Sequence, residues 1–212
     1  MPRITAPTVA EHRSRQRRAI LDAARAHLAE TGAAPTLAEV AARAGLARSS
    51  LYEYFGSREE LLAAVVADVF PAWAGTVVDA MRAVPEPGRQ VWAYVEANVV
   101  LFAGSERAVA QVLTSVVEPH LLAGPVRDFH QSLQGPLVAA LAAFGEPDPA
   151  SVADIVDSMV LRATRDVWTL GPDEARRQGD AALRLLARVL GPYLGLDASV
   201  GDGGRAPGHA SG

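Results

Sequence analysis

Residues 36–58 constrain the fold more than any other stretch, because they carry the start and stop signals of two short helices in close succession. Thr36-x-x-Glu39 is a capping box, in which the Thr36 hydroxyl accepts from the Glu39 amide and the Glu39 carboxylate reaches back to the Thr36 N–H. Leu37, Val40, Ala41 and Ala44 then recur at i, i+3, i+4 and i+7, so one apolar stripe faces a core. Gly45 can take the left-handed conformation that ends a helix, and a turn of three to four residues launches a second one. On that second helix Leu51 and Phe55 share the inward stripe, while Ser50 and Tyr54 share another. The unit reads as a helix-turn-helix. Arg48, Ser49, Ser50, Tyr52 and Tyr54 crowd guanidinium, hydroxyl and phenol groups onto six or seven residues of it, a surface able to hydrogen-bond base edges and phosphates.

Ser57-x-x-Glu60 is a second capping box and opens a long helix at Arg58. A cation in the first turn opposes the partial positive charge of a helix N-terminus, and costs stability unless an anion lies nearby. A nucleic-acid phosphate would supply that anion, held by free N–H groups and the guanidinium together. The alternative is an arginine that leans into solvent.

With the lead-in Ile20-Leu21-Asp22-Ala23-Ala24, the turn Glu30-Thr31-Gly32 and the run from Ala44-Gly45-Leu46 to Leu51-Tyr52-Glu53-Tyr54-Phe55, the stretch resembles the N-terminal DNA-binding domain of the TetR family of bacterial transcriptional regulators. The likeness covers roughly residues 15 to 65. That family commonly has lysine where this chain has Arg58, a change that keeps the charge and adds a fork of donors, and often glycine or proline in place of Ser49.

Charge is uneven along the 212 residues. Residues 1–60 carry nine Arg against seven Asp plus Glu, net +2, whereas residues 61–212 carry eleven against seventeen, net −6. Arg3, Arg13, Arg15, Arg17 and Arg18 face only Glu11 over the first 18 residues, a basic arm suited to phosphate or a minor groove. For residues 1–12 a frayed, solvated terminus is the equal alternative. Arg13 to Arg18 enter a first helix whose inward stripe is Ile20, Ala24, His27 and Leu28.

From residue 58 onward no segment alternates with period two, so the expectation is an all-α fold. It consists of an N-terminal three-helix domain with the helix-turn-helix, then a larger helical bundle, about nine helices in total. Residues 58–83 form one long apolar helix that Pro71 should kink. Further helices read as 89–103, 105–117, 125–144, 149–170 and 173–194, punctuated at Gly104, Pro119, Gly124-Pro125, Gly145 to Pro149 and Gly171-Pro172. The domains are then 1–57 for the arm and helix-turn-helix, 58–194 for the bundle, and 195–212 for a Gly-rich disordered tail.

The chain has no cysteine, which excludes disulfides and thiolate metal sites and suits a reducing cytoplasm. It shows no apolar secretory segment near its start and no run of about 18 uninterrupted apolar residues, so no membrane partner is expected. All 20 basic residues are arginine, including those at sites with no visible function. No Gly-rich phosphate loop, His-Glu-x-x-His or nucleophile elbow is present, and His12, His27, His120, His130 and His209 are too scattered for a metal cluster. No enzyme, metal or cofactor is therefore expected. The rivals are an enzyme on a helical bundle and a helical interaction module without DNA binding.

The bundle carries more apolar surface than one small core needs, which leaves either a second core or a core with a pocket and a pairing face. The family resemblance implies the latter: a homodimer through helices 149–170 and 173–194, with a small, largely apolar effector inside the bundle. On those helices Val152, Ile155, Val156, Met159 and Val160, and Ala181, Leu185, Leu186, Val189, Leu190 and Tyr193, form the apolar stripes. Candidate pocket residues are the large aromatics Trp73, Trp92, Phe102, Phe129 and Trp168, with the polar Asn98, Gln111, Thr114, Glu118, His130 and Gln134 on otherwise apolar helices. The resemblance further implies a repressor, less often an activator, whose two heads enter successive major grooves of a palindromic double-stranded operator. The half-site centres would lie about 34 to 36 Å apart. Arg48 is the candidate for guanine, Ser49, Ser50 and Tyr54 for bases or nearby phosphates, and Thr36, Tyr52 and Arg58 for the phosphate backbone.

Overall fold

Apolar residues at helical spacing, interrupted by glycine and proline, produce helices joined by short turns in the computed structural model, which describes residues 9–104, 109, 113 and 119–196. These are α1 (Val9–Thr31), α2 (Leu37–Arg43), α3 (Arg48–Tyr52), α4 (Arg58–Arg82), α5 (Pro87–Ala103), α6 (Pro119–Phe144), α7 (Pro149–Thr164) and α8 (Pro172–Leu194), with a 3-10 segment at Arg165–Thr169. Among the described residues there are eight α-helices and no strand. Of the expected helix 105–117 only Val109 and Leu113 are described, both buried. Residues 1–8 of the arm, residues 197–212 of the tail, and Gln111, Thr114 and Glu118 lie outside the described residues, as do the side chains of His120 and Trp168.

The chain divides into two compact units, Met1–Pro71 with Ala108–Arg127, and Ala72–Arg107 with Asp128–Gly212. In the first, α1 packs on α2 and α2 on α3. Ile20, Leu28, Val40, Leu51 and Leu61 are fully buried there and Phe55 is 2% exposed, whereas His27 is only half-buried at the edge of its stripe. In the second, α5 packs against α7 and α8, and α7 against α8. Gly179 on α8 permits a close approach, since a Cβ there would sit 2.6 Å from the Ala103 Cβ of α5.

Pro71 lies inside α4, as the sequence predicts. Gly124-Pro125, expected to separate two helices, does not, because α6 already starts at Pro119. Pro119 takes the first helical position, where its missing N–H costs nothing. Pro125 then forfeits a single bond to the Leu121 carbonyl, and the burial of Leu122, Leu133, Leu137 and Leu141 outweighs that loss. The expected helix 149–170 also changes character at Arg165. Thr164 is fully buried and donates its hydroxyl to the Val160 carbonyl at 2.8 Å, after which the chain tightens into the 3-10 segment. Periods of 3.0 and 3.6 residues cannot be told apart over five residues.

α4 is long and apolar enough to cross a membrane by length and composition, and half of its most apolar window is buried within the protein. Leu61, Val65, Val66 and Val77 on it are completely inaccessible, as core positions are.

Candidate functional site

The local chemistry of the helix-turn-helix is realised bond by bond. Thr36 Oγ1 accepts from the Glu39 N–H at 3.3 Å, and Glu39 Oε2 accepts from the Thr36 N–H at 2.7 Å and from the Thr36 hydroxyl at 2.8 Å. These bonds, the backbone one first, hold the Glu39 carboxyl below the usual carboxylate range. At the other end of α2, Gly45 stands at φ +68°. The Leu46 N–H donates to the Ala41 carbonyl at 2.9 Å, and that of Gly45 to Ala42 at 3.3 Å. This paired pattern satisfies two carbonyls that a helix end otherwise leaves open. Arg43 forks onto both carboxylate oxygens of Glu30, tying α2 to α1, a pairing that no local spacing indicates.

α3 is shorter than the six or seven residues expected. It ends at Tyr52, with Glu53 and Tyr54 in the following turn, although the Phe55 N–H still reaches the Leu51 carbonyl at 3.1 Å. The cause lies just beyond, where Gly56 and Ser57 already serve the start of α4. The Glu60 N–H donates to Ser57 Oγ at 3.1 Å, and the Glu60 carboxylate accepts from the Gly56 N–H at 2.7 Å rather than from Ser57.

With Leu51 and Phe55 buried, the polar residues of this segment fall outward. Arg48, Ser49 and Tyr52 are exposed, and Ser50 and Tyr54 half-buried. Arg48 lies over the Tyr52 ring at 5.7 Å and donates from Nη2 to the Tyr52 hydroxyl at 3.3 Å. α1 adds two cations to the same segment, with Arg13 over Tyr54 at 5.7 Å and Arg17 over Phe55 at 5.5 Å. Arg18 points elsewhere, pairing with Asp68 at 2.5 Å and Asp22 at 3.5 Å, while Arg25 reaches the other Asp68 oxygen at 3.4 Å. The basic run of α1 therefore splits into residues that reinforce the α3 segment and one that is neutralised on α4.

Arg58 has partners within the protein that the sequence-based alternatives do not include. Its Nε donates to the Pro35 carbonyl at 3.0 Å and its Nη2 to the Ala34 carbonyl at 2.9 Å, so it grips the turn that leads into α2. Its cation is retained beside a helix N-terminus because backbone carbonyls supply the negative end of the interaction. The Thr36 hydroxyl is likewise committed within the protein.

In the second unit α5, α6 and α7 enclose a cavity of about 30 Å³. Of the candidate pocket residues, Asn98, Phe102, Phe129 and His130 line it. Trp73 stands behind them, edge-on to Phe102 at 5.0 Å and to Phe129 at 5.7 Å. Trp92 is buried but does not line the cavity, and Gln134 bonds Asp154 on the outside at 2.7 Å. Sequence reasoning missed Tyr94 and Asp157, which line it too. The Tyr94 hydroxyl donates to Asp157 Oδ1. Burial pushes the Tyr94 phenol up, helped by that carboxylate, and burial also raises Asp157 above the usual range, opposed by the Tyr94 bond and by His130. The one available signal was Tyr94 lying one turn before Asn98, whose Nδ2 donates to the Tyr94 carbonyl at 2.9 Å. Trp73 Nε1 is buried without a hydrogen-bond partner.

On the outer side of α7 and α8 runs an open groove of about 830 Å³ whose lining includes Ile155, Met159, Leu185 and Val189. Ile155, Leu185 and Val189 are 52%, 48% and 51% exposed, and Asp154, Ser158, Arg162, Asp166 and Gln178 line the same groove. Among the described residues no group of three or more His, Asp or Glu could hold a metal ion.

Comparison with known proteins matches residues 20–65 to the family model of bacterial regulatory proteins of the tetR family. No curated protein matches the chain. Among solved structures it is similar to the transcriptional regulator FadR from Bacillus subtilis in complex with stearoyl-CoA, with TM-score 0.62 and 16% identity over 84% of this chain and 96% of that one. It is also similar to the ketosteroid transcriptional regulator KstR2 of Mycobacterium tuberculosis, with TM-score 0.59 and 20% identity over 84% and 94%. A third similar structure is AibR in complex with isovaleryl coenzyme A and operator DNA, with TM-score 0.58 and 18% identity over 82% and 97%. At these identities the structural likeness is one of fold.

Proposed function

We propose that this chain is a member of the TetR family of bacterial transcriptional regulators, whose family model its residues 20–65 match, and that it is a homodimeric, cytoplasmic repressor released from a palindromic operator by a small effector. The observation that carries the reading is the α2–α3 unit. Its core residues are buried while Arg48, Ser49 and Tyr52 stand exposed on one short segment, flanked by Arg13 and Arg17. Arg48, held along Tyr52, is the guanine reader, since a guanidinium fixed in one orientation can present two parallel donors to a base edge. Ser49, Ser50 and Tyr54 meet bases or adjacent phosphates, and Tyr52, Arg13 and Arg17 the backbone. Thr36 and Arg58 act mainly by fixing the turn before α2, and contribute to phosphate binding only through the donors and lone pairs those bonds leave over.

The uncovered groove of α7 and α8 supports pairing of two copies through these helices, burying Ile155, Leu185 and Val189. The cavity between α5, α6 and α7 is the effector site. Two of the structural neighbours hold coenzyme A thioesters, which supports a ligand-responsive bundle in general. α4 is the covalent link by which occupancy of the bundle would bias the head.

Selection of bound genomic fragments tests the reading directly: enrichment of one inverted repeat is expected, with affinity falling steeply as salt rises through counterion release. Arg48→Ala should change the selected sequence, whereas Arg13→Ala should weaken all sites alike and lower the salt slope by about one. Binding without sequence preference, or none at low salt, overturns it. Light scattering tests the pairing: the wild type should be a dimer at micromolar concentration and Leu185→Asp a monomer.

A further inference from the structure

We infer that the cavity between α5, α6 and α7 takes the ammonium head of an amine with an apolar body, and not a carboxylate or a coenzyme A thioester; this rests on the reading of that cavity as the effector site. The space is the size of one or two waters, which suits a primary ammonium group. Its polar wall is made of acceptors. Asp157 offers a half-buried carboxylate, of which the Tyr94 hydroxyl occupies one oxygen. Asn98 uses its Nδ2 on the Tyr94 carbonyl, which leaves its Oδ1 as a further acceptor. Of the donors among the lining residues, the Tyr94 hydroxyl is committed to Asp157 and one N–H of the Asn98 amide to the Tyr94 carbonyl.

The remaining walls are aromatic rings and aliphatic groups. Phe102, Phe129 and Tyr94 line the space, and ring faces attract cations. The surrounding charge has the same preference: Asp154 lies one turn from Asp157 on α7, and His130 is the sole lining residue able to become positive. An anion placed here would face the Asp157 carboxylate, with only the second Asn98 N–H and the His130 ring to donate to it. An ammonium would gain a charge-assisted hydrogen bond, worth more in a partly dry site than in water. His130 and Leu161, both exposed, form the mouth through which the apolar body would extend.

The test uses the full-length protein with nitrogen-15 labelling and three probes that share a phenyl ring: phenethylamine, 2-phenylethanol and phenylacetate. The indole N–H of Trp73 reports occupancy, because that ring touches Phe102 and Phe129; it is assigned by elimination with Trp92→Phe and Trp168→Phe. Phenethylamine is expected to move this resonance saturably at up to millimolar concentration, with the alcohol and the acid at least tenfold weaker. Asp157→Asn, which keeps an acceptor for Tyr94, should weaken the amine roughly tenfold or more and leave the alcohol unchanged. Tyr94→Phe retains the carboxylate and should retain amine binding, so loss of binding in both variants, like an unchanged affinity in Asp157→Asn, overturns the assignment. If phenylacetate or isovaleryl-CoA moves the Trp73 resonance more strongly than the amine, the amine assignment fails and the effector site stands. If a probe alters DNA affinity while the Trp73 resonance stays fixed, the cavity is not the effector site and both fail.

Discussion

In the first unit the polar side chains that shape the site sit at helix ends, where Thr36 with Glu39 and Ser57 with Glu60 cap across three residues and Arg43 and Arg58 tie the ends together, whereas in the second Tyr94 and Asp157 sit within helices and bond across sixty-three. The first arrangement fixes backbone direction and leaves the outer surface free to carry donors. The second places polar groups inside an apolar bundle, where each must find a partner, and one of them, Trp73 Nε1, has none. A head built to present a fixed surface keeps its bonds at helix ends and turns. A bundle built to admit a molecule retains acceptors, space and an unsatisfied donor in its interior.

The widest test of this contrast is the apolar layer under the α3 segment. Phe55 is almost wholly buried, so Phe55→Ala should cost about 3–5 kcal/mol in denaturant unfolding and abolish operator binding with it. If the presented surface survives that substitution, the bonds at helix ends and turns alone hold the head. A smaller effect is expected at Gly179, where an added Cβ meets another Cβ rather than the flexible end of a side chain. Gly179→Ala should cost about 1–3 kcal/mol by overpacking. Gly45→Ala, with open space around it but φ at +68°, should cost about 1–2 kcal/mol through backbone strain alone. Below these comes Thr36→Ala, which removes one cap and should cost about 1 kcal/mol. Its effect on DNA affinity should follow the stability of the turn, since the hydroxyl is already bonded to Glu39.

The same distinction explains what was legible in the sequence. Thr36-x-x-Glu39 and Gly45 declare themselves within a few residues, and both form as read. Leu51 and Phe55 followed from spacing, and the all-α class from the absence of alternation. Arg58 was noticed as an anomaly, yet its partners are carbonyls on a turn more than twenty residues earlier, which no local rule indicates. Asn98, Phe102, Phe129 and His130 were selected by residue type and do come together. Tyr94 and Asp157 were passed over because a tyrosine and an aspartate on separate amphipathic helices look like ordinary half-exposed residues until α5 and α7 are brought side by side. Gly124-Pro125 misled for the opposite reason, being a strong local signal overridden by the burial of Leu122 and Leu133.

The finest test uses the opposite direction of two carboxylates. Glu39 has an ordinary value of 4.5, lowered in the folded chain, so it contributes stability above that value which is lost as pH falls through it toward the folded value. Asp157 has an ordinary value of 3.8, raised in the folded chain by burial. Its charged form is penalised near neutral pH, and stability is gained as pH falls through the raised folded value, fully so once pH is below 3.8. Tyr94 from α5 and His130 from α6 reduce that rise, while Asp154 on α7 adds to it. Acidification should therefore loosen α2 while it tightens the contact of α5 with α7. Amide exchange, corrected for its intrinsic pH dependence, should show protection falling in residues 37–43 and rising around residues 94–98 and 156–160. Glu39→Gln should flatten the first trend and Asp157→Asn the second. Parallel trends in the two regions, unchanged by either substitution, would mean that the units respond to acid as one body and that the contrast between their polar groups has no energetic consequence.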